Sequence, residues 1–146
     1  MTLHTVHQWA SLIFLLLSSG VALWMGGWPE RAAAIAMVTA WFASAVLLAR
    51  IQLWGLEAEV MIVDVALFVV ILAIALKSDR WWPLWAAGFL GLVVLVHLAV
   101  ILDPRIWGRA YFVASNIFSY LTMLALLTGS LSRRRLRTPD AASPLT

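Results

Sequence analysis

Four strongly polar residues sit inside the apolar runs of this chain: Arg50, Asp64, His97 and Asn116. Asp64 interrupts "VMIVDVALFVVILAIAL" at 60–76, where every other residue is apolar. A carboxylate set in hydrocarbon faces a bundle interior, finds a partner, and commonly marks an ion, proton or substrate path. An imidazole beside it can take up and release protons. An amide both donates and accepts, and an arginine reaches far along its stem. Two readings of Asp64 stand side by side. It pairs with Arg50 and locks the bundle, or it works with His97 and Asn116 as a proton or ligand site. Ser119 and Tyr120, beside Asn116, belong to that polar cluster and serve equally as interhelical glue.

Other chemistry has less to build on. The sequence holds no paired histidine-glutamate metal motif, glycine-rich phosphate loop or nucleophile elbow. It has no cysteine, so disulfides and thiolate metal sites are excluded, and no metal site is expected. A Ser-His-Asp triad can be drawn from Ser115 or Ser119 with His97 and Asp64, as it can in most membrane bundles. Haem needs two axial ligands at one depth, and His97 has only His7 or His4 to offer as a partner. The expected cofactor set is therefore empty, with haem as the electron-transfer alternative.

These residues must be positioned by apolar elements, and composition says which kind. Of 146 residues, 64% are hydrophobic and 12% charged, half the roughly 25% charged residues of a soluble domain. A small globule has nowhere to hide so much apolar area, whereas a bilayer does. Five runs approach the roughly 20 residues that cross a hydrocarbon core. They fall at about 9–26, 31–54, 60–76, 82–102 and 110–131, separated by "GGWPER", "WGLEAE", "KSDRWWP" and "DPRIWGR". Pro29, Pro83 and Pro104 lie at helix ends, where a missing amide costs little. The expected architecture is all-α, a five-helix transmembrane bundle over 1–132. Residues 133–146 are expected to form a basic, disordered cytoplasmic tail.

Charge sets the expected orientation. With the N-terminus outside, the inner segments carry Arg31, Lys77, Arg80, Arg133, Arg134, Arg135 and Arg137, against Arg50, Arg105 and Arg109 outside. Seven against three favours N-out, C-in. Glu57, Glu59, Asp103, Arg105 and Arg109 then form an outer solvated rim. The tail arginines anchor topology and face anionic lipid headgroups. Nucleic acid is not an expected partner, because the basic residues lie between hydrophobic runs or in that one cluster. Trp24, Trp28, Trp81, Trp82 and Trp85 fall at the inner interface, and Trp9, Trp54 and Trp107 at the outer one.

This map places the polar residues in one layer. Asp64 lies about six residues inside helix three, and His97 about six before Asp103, so both are roughly 9 Å deep. Asn116 reaches a similar depth from the start of helix five, and Arg50 sits slightly shallower. Ala32, Ala36, Ala40 and Ala43 on helix two, and Ser11, Ser18 and Ala22 on helix one, make small-residue stripes suited to close packing. Ala87 and Gly91 offer a similar pair on helix four.

The segments "GGWPER", "VDVALFVVILAIAL", "WWPLWAAGF" and "DPRIWGRAY" together resemble small multi-pass inner-membrane proteins of bacteria. That resemblance covers most of the chain, implies a bacterial inner-membrane location, and brings no activity with it. In length, five helices and nine tryptophans the chain also resembles the tryptophan-rich sensory (TspO/translocator) fold, without that family's proline-tryptophan loop after helix one.

The expectation that follows is a non-enzymatic accessory or scaffolding subunit, packed beside a larger membrane complex or against copies of itself. The alternative is a small proton-linked transporter or small-molecule sensor using Asp64 and His97, in which an oligomer encloses the path.

Overall fold

The computed structural model describes the backbone of residues 3–50, 56–103 and 109–137, and the side chains of 9–46, 60–103, 111 and 113–132. Among the described residues five helices follow one another: α1 Leu3–Met25, α2 Trp28–Arg50, α3 Leu56–Lys77, α4 Trp82–Leu102 and α5 Arg109–Arg137. The described residues contain no strand.

Helix ends differ from the sequence expectation for local reasons. α2 starts at Trp28, not near Arg31, because the Glu30 carboxylate turns back to accept from the Gly27 amide at 2.7 Å. That is one half of a capping box, satisfying a donor that a helix start leaves orphaned. Pro29 sits in the first turn, where its missing amide is not needed. The two-residue link from α1 is equally tight. The Gly26 amide donates to Ala22 O at 2.9 Å, and a Cβ at Gly26 would overlap that carbonyl and the Glu30 side chain. α4 opens with Pro83 in its first turn and closes at Asp103, whose amide donates to Ala99 O at 2.9 Å.

α5 is the largest departure. It runs through Arg133, Arg134, Arg135 and Arg137, residues expected to lie in a disordered tail. Between Ser130 and Arg137 the sequence has neither glycine nor proline, and leucine and arginine are good helix formers. The first breaker is Pro139, two residues beyond.

The helices pack as a ring in chain order, each against the next, with α5 closing on α1 and α2 touching α5 across the middle. Alternate helices run in opposite directions, so one end of the ring carries the starts of α1, α3 and α5. Here it is called the Asp64 end. The other, with the starts of α2 and α4, is the Trp82 end.

The interior is lined by small and polar residues alongside Leu15, Ile71, Leu90 and Leu126: Ala22, Ala33, Ala34, Ala86, Ser18, Thr122 and Ser130 are all buried. On α2 the fully buried alanines are Ala33 and Ala34, one position away from the expected stripe; Ala32, Ala36, Ala40 and Ala43 are half-buried. Large apolar side chains point outward instead. Ile13 and Leu17 on α1, Ile35 and Phe42 on α2, Ile62 and Val69 on α3, Leu95 and Ile101 on α4, and Ile117 and Leu124 on α5 are exposed. An outer surface this apolar is not one that water stabilises. Among the described residues, three helices are long and apolar enough to cross a membrane, over Val60–Lys77, Trp82–Leu102 and Val113–Ser132. α1 contributes a shorter apolar stretch, Trp9–Met25.

Trp24, Trp28, Trp81 and Trp85 are exposed at the Trp82 end, as amphipathic indoles at a headgroup layer would be. Trp82 is not one of them. It is 1% exposed, turned into the bundle, and its indole N–H donates to Glu30 Oε1 at 3.1 Å.

Candidate functional site: a central cavity with Asp64 of an Asp-His-Tyr chain on its wall

Asp64, His97 and Tyr111 come from three consecutive helices of the ring and meet at one end. Asp64 lies two turns into α3, His97 near the end of α4, and Tyr111 in the first turn of α5, so antiparallel packing brings them to a common level. The Asp64 Oδ2 and His97 Nε2 are 2.8 Å apart, and the Tyr111 hydroxyl lies 2.9 Å from His97 Nδ1. The Tyr111 ring also meets the imidazole edge-on at 5.3 Å between centroids. The His97 side chain is 2% exposed and that of Asp64 23%. His97 is therefore the buried centre of the chain and Asp64 its accessible end.

Both imidazole nitrogens are thus engaged. With the Tyr111 hydroxyl donating to Nδ1, Nε2 carries the hydrogen and donates to the carboxylate. That arrangement satisfies two buried polar groups and fixes the ring's orientation. It also leaves no nitrogen for iron, so His97 does not fit as a haem axial ligand, while His4 and His7 have side chains outside the described residues. The triad drawn from the sequence does not form either. The group on the far side of His97 is Tyr111, and the Ser119 hydroxyl donates to the Ser115 carbonyl at 2.8 Å. The Ser115 hydroxyl is buried with no hydrogen-bond partner among the described residues.

Asp64 has a second role, as part of the wall of a central cavity of about 200 Å³. All five helices line it: Ser11 and Leu15 from α1, Met37, Ala40, Trp41 and Ser44 from α2, Asp64 and Leu67 from α3, Leu90 from α4, and Asn116, Ser119, Thr122 and Met123 from α5. The polar members Ser11, Ser44, Asp64 and Asn116 lie towards the Asp64 end, and the wall grows apolar towards Leu90 and Met123. Beyond those residues Trp82 fills the bundle, packed so closely on α5 that a Cβ at Gly129 would overlap its indole. Among the described residues, Asp64 is the charged side chain on the cavity wall.

The other sequence candidates fall as follows. Asn116 and Ser119 share the cavity with Asp64. Tyr120 faces α1, edge-on to Phe14 at 5.9 Å, on a separate apolar groove. Asp103 is exposed at the end of α4. Arg50 ends α2 and Arg109 begins α5, and Glu57 and Glu59 lie in the first turn of α3; the side chains of all four lie outside the described residues, as do those of Arg133, Arg134, Arg135 and Arg137. Arg105 lies wholly outside them. Among the described residues no three of His, Cys, Asp and Glu converge as metal ligands would.

Sequence reasoning missed two features. Tyr111 was legible as a member of the Ser115–Ser119 face of α5, but its partnership with His97 needed the packing of α4 on α5. Glu30 falls in the expected turn "GGWPER", where the Pro-Glu pair that follows Gly26, Gly27 and Trp28 is the sequence signal for a helix start.

Compared with models of known protein families, with curated proteins and with solved structures, the chain matches none. The likeness to the tryptophan-rich sensory fold remains one of helix count and tryptophan content.

Proposed function

We propose that this protein is a five-span bundle of the bacterial inner membrane, N-terminus outside and C-terminus inside, that binds a small polar solute in its central cavity. The Asp64–His97–Tyr111 chain anchors the solute and exchanges protons with it. The observation that carries this reading is the cavity itself: five helices converge on a space whose mouth is polar and whose wall includes a carboxylate held by a buried imidazole. A scaffold packed only for stability has no need of such a space, because an unfilled cavity forfeits contacts on every side. This favours solute binding over an accessory subunit. It also removes the need for an oligomer to enclose the site, since one chain does so.

Support for five spans comes from the ring. α1 and α2 stand between α5 and α3 and carry outward apolar faces like those of the three longer apolar helices. The positive-inside count gives the orientation, and under it the Asp64 end faces outward. The polar mouth then opens towards the outer leaflet while Trp82 and Glu30 close the inner end, which suits a sensor or the outward-facing state of a transporter.

The absence of native cysteine makes a direct test available. Ser44→Cys and Ser119→Cys place single thiols on the cavity wall, and Leu95→Cys places one on the outward apolar face. A membrane-impermeant thiol reagent added from outside labels the first two and spares the third. Equal protection of all three thiols refutes an open polar cavity.

A further inference from the structure

Resting on the solute-binding reading above, we propose that the cavity takes a small ammonium-bearing solute, a short-chain primary amine whose charged nitrogen sits between Asp64 and Trp41. Three properties of the wall point to a cation. Asp64 contributes the formal charge there, and no lysine, arginine or histidine joins it on the wall among the described residues. Its imidazole partner stands behind it, not in the cavity, with Nε2 at 2.8 Å from the carboxylate and Nδ1 at 2.9 Å from the Tyr111 hydroxyl. A carboxylate accepts from roughly four directions, and His97 uses one of them.

The second property is the aromatic wall. Trp41 is the mid-helix tryptophan that fits no interface belt, and it lines the cavity together with Asp64. A cation within about 6 Å of an indole face is attracted by the ring quadrupole, more so where water is thinned out. The third is acceptor supply. A primary ammonium has three N–H groups to satisfy, and beyond the carboxylate the oxygens of Ser11, Ser44 and Asn116 line the mouth, each able to accept even while its own hydrogens are engaged elsewhere. Ser119 spends its hydrogen on the Ser115 carbonyl, so its oxygen faces the cavity as an acceptor. An anion would meet Asp64 head-on.

Size and polarity limit the rest of the solute. A cavity of about 200 Å³ lies below the roughly 300–1,000 Å³ typical of drug-sized ligands. Past the polar mouth, Leu15, Leu90 and Met123 make an apolar floor. A short alkyl or aryl body fits that floor with its nitrogen at the mouth.

The test uses the Ser44→Cys variant of the full chain in proteoliposomes, with one cationic and one anionic methanethiosulfonate of similar size. The cationic reagent reacts faster. Asp64→Asn lowers the cation-to-anion rate ratio about tenfold, the change expected on losing a charge-assisted contact. n-Butylammonium slows labelling, 1-butanol at the same concentration does not, and Trp41→Leu weakens the protection. Asp64→Asn keeps an oxygen for His97 and so is expected to fold. If it does not, the charge ratio and butylammonium protection of the Ser44→Cys variant decide alone. Labelling by both reagents at equal rates, or equal protection by butanol and butylammonium, overturns the amine assignment and leaves the cavity reading intact. No labelling by either reagent overturns both.

Discussion

Replacing Gly129 with alanine adds one methyl group where α5 meets the buried indole of Trp82. That methyl would overlap the ring at three atoms: Cγ, Cδ1 and Cδ2. The indole has little room to retreat, because its N–H is bound to Glu30 Oε1 at 3.1 Å while Glu30 Oε2 caps α2 through the Gly27 amide. Two relaxations are open. α5 shifts away from α4, at the roughly 1–3 kcal/mol of an overpacked core. Or the indole swings out, giving up a hydrogen bond to a charged group and leaving the carboxylate short of a donor, at about 1.5–3 kcal/mol. Alanine returns up to about 1 kcal/mol of helix propensity. The net expectation is a loss of about 1–2 kcal/mol. Gly20 and Gly88 serve as internal controls, since a Cβ at either meets nothing within 4 Å. Gly20→Ala and Gly88→Ala should be neutral or stabilising, so the sign differs between sites. Denaturation in mild detergent, followed by circular dichroism, reads all three. Gly129→Ala as stable as Gly88→Ala would refute the account of Trp82 as a fixed plug. Trp82→Phe combined with Gly129→Ala should cost less than the sum of the singles, because both act on the same contact.

Tyr111→Phe removes the hydroxyl from His97 Nδ1 and should destabilise by about 0.6–1.7 kcal/mol, the range of interhelical hydrogen bonds in membranes, when measured by the same unfolding assay. Asp64→Leu and His97→Leu each strand a polar partner, so their double variant should be less damaged than the sum, with a coupling of about 0.5–3 kcal/mol; additive losses would mean the 2.8 Å contact contributes nothing. Arg50→Leu and Asp64→Leu should change stability additively, because Asp64 is held by His97; a coupling between the two would mean that Arg50 reaches the carboxylate and already pairs the cavity charge. A cytoplasm-active reporter fused after Arg137 should be active and a periplasm-active one silent; the reverse would invert the topology and put the cavity mouth on the other side.

The sequence by itself determined the number of helices, their order and the levels of their polar residues. Those properties are one-dimensional. Apolar run lengths count residues against a fixed rise, and Pro29 and Pro83 mark where runs begin. Depth along an axis follows from counting, which is why the common level of Asp64 and His97 is legible from residue number alone. The tertiary structure decided what depends on rotation and on neighbours. A helix that is apolar nearly all round, like α3 or α4, gives no sequence signal for which face turns inward. The pairing of Tyr111 with His97, the burial of Trp82 among its exposed fellow tryptophans, and the one-position offset of the buried alanines on α2 all follow from that choice of face. So does the cavity. Its wall takes between one and four residues from each helix, and their spacing along the chain carries no period that a single helix would display. Only closing α5 onto α1 brings them around one space.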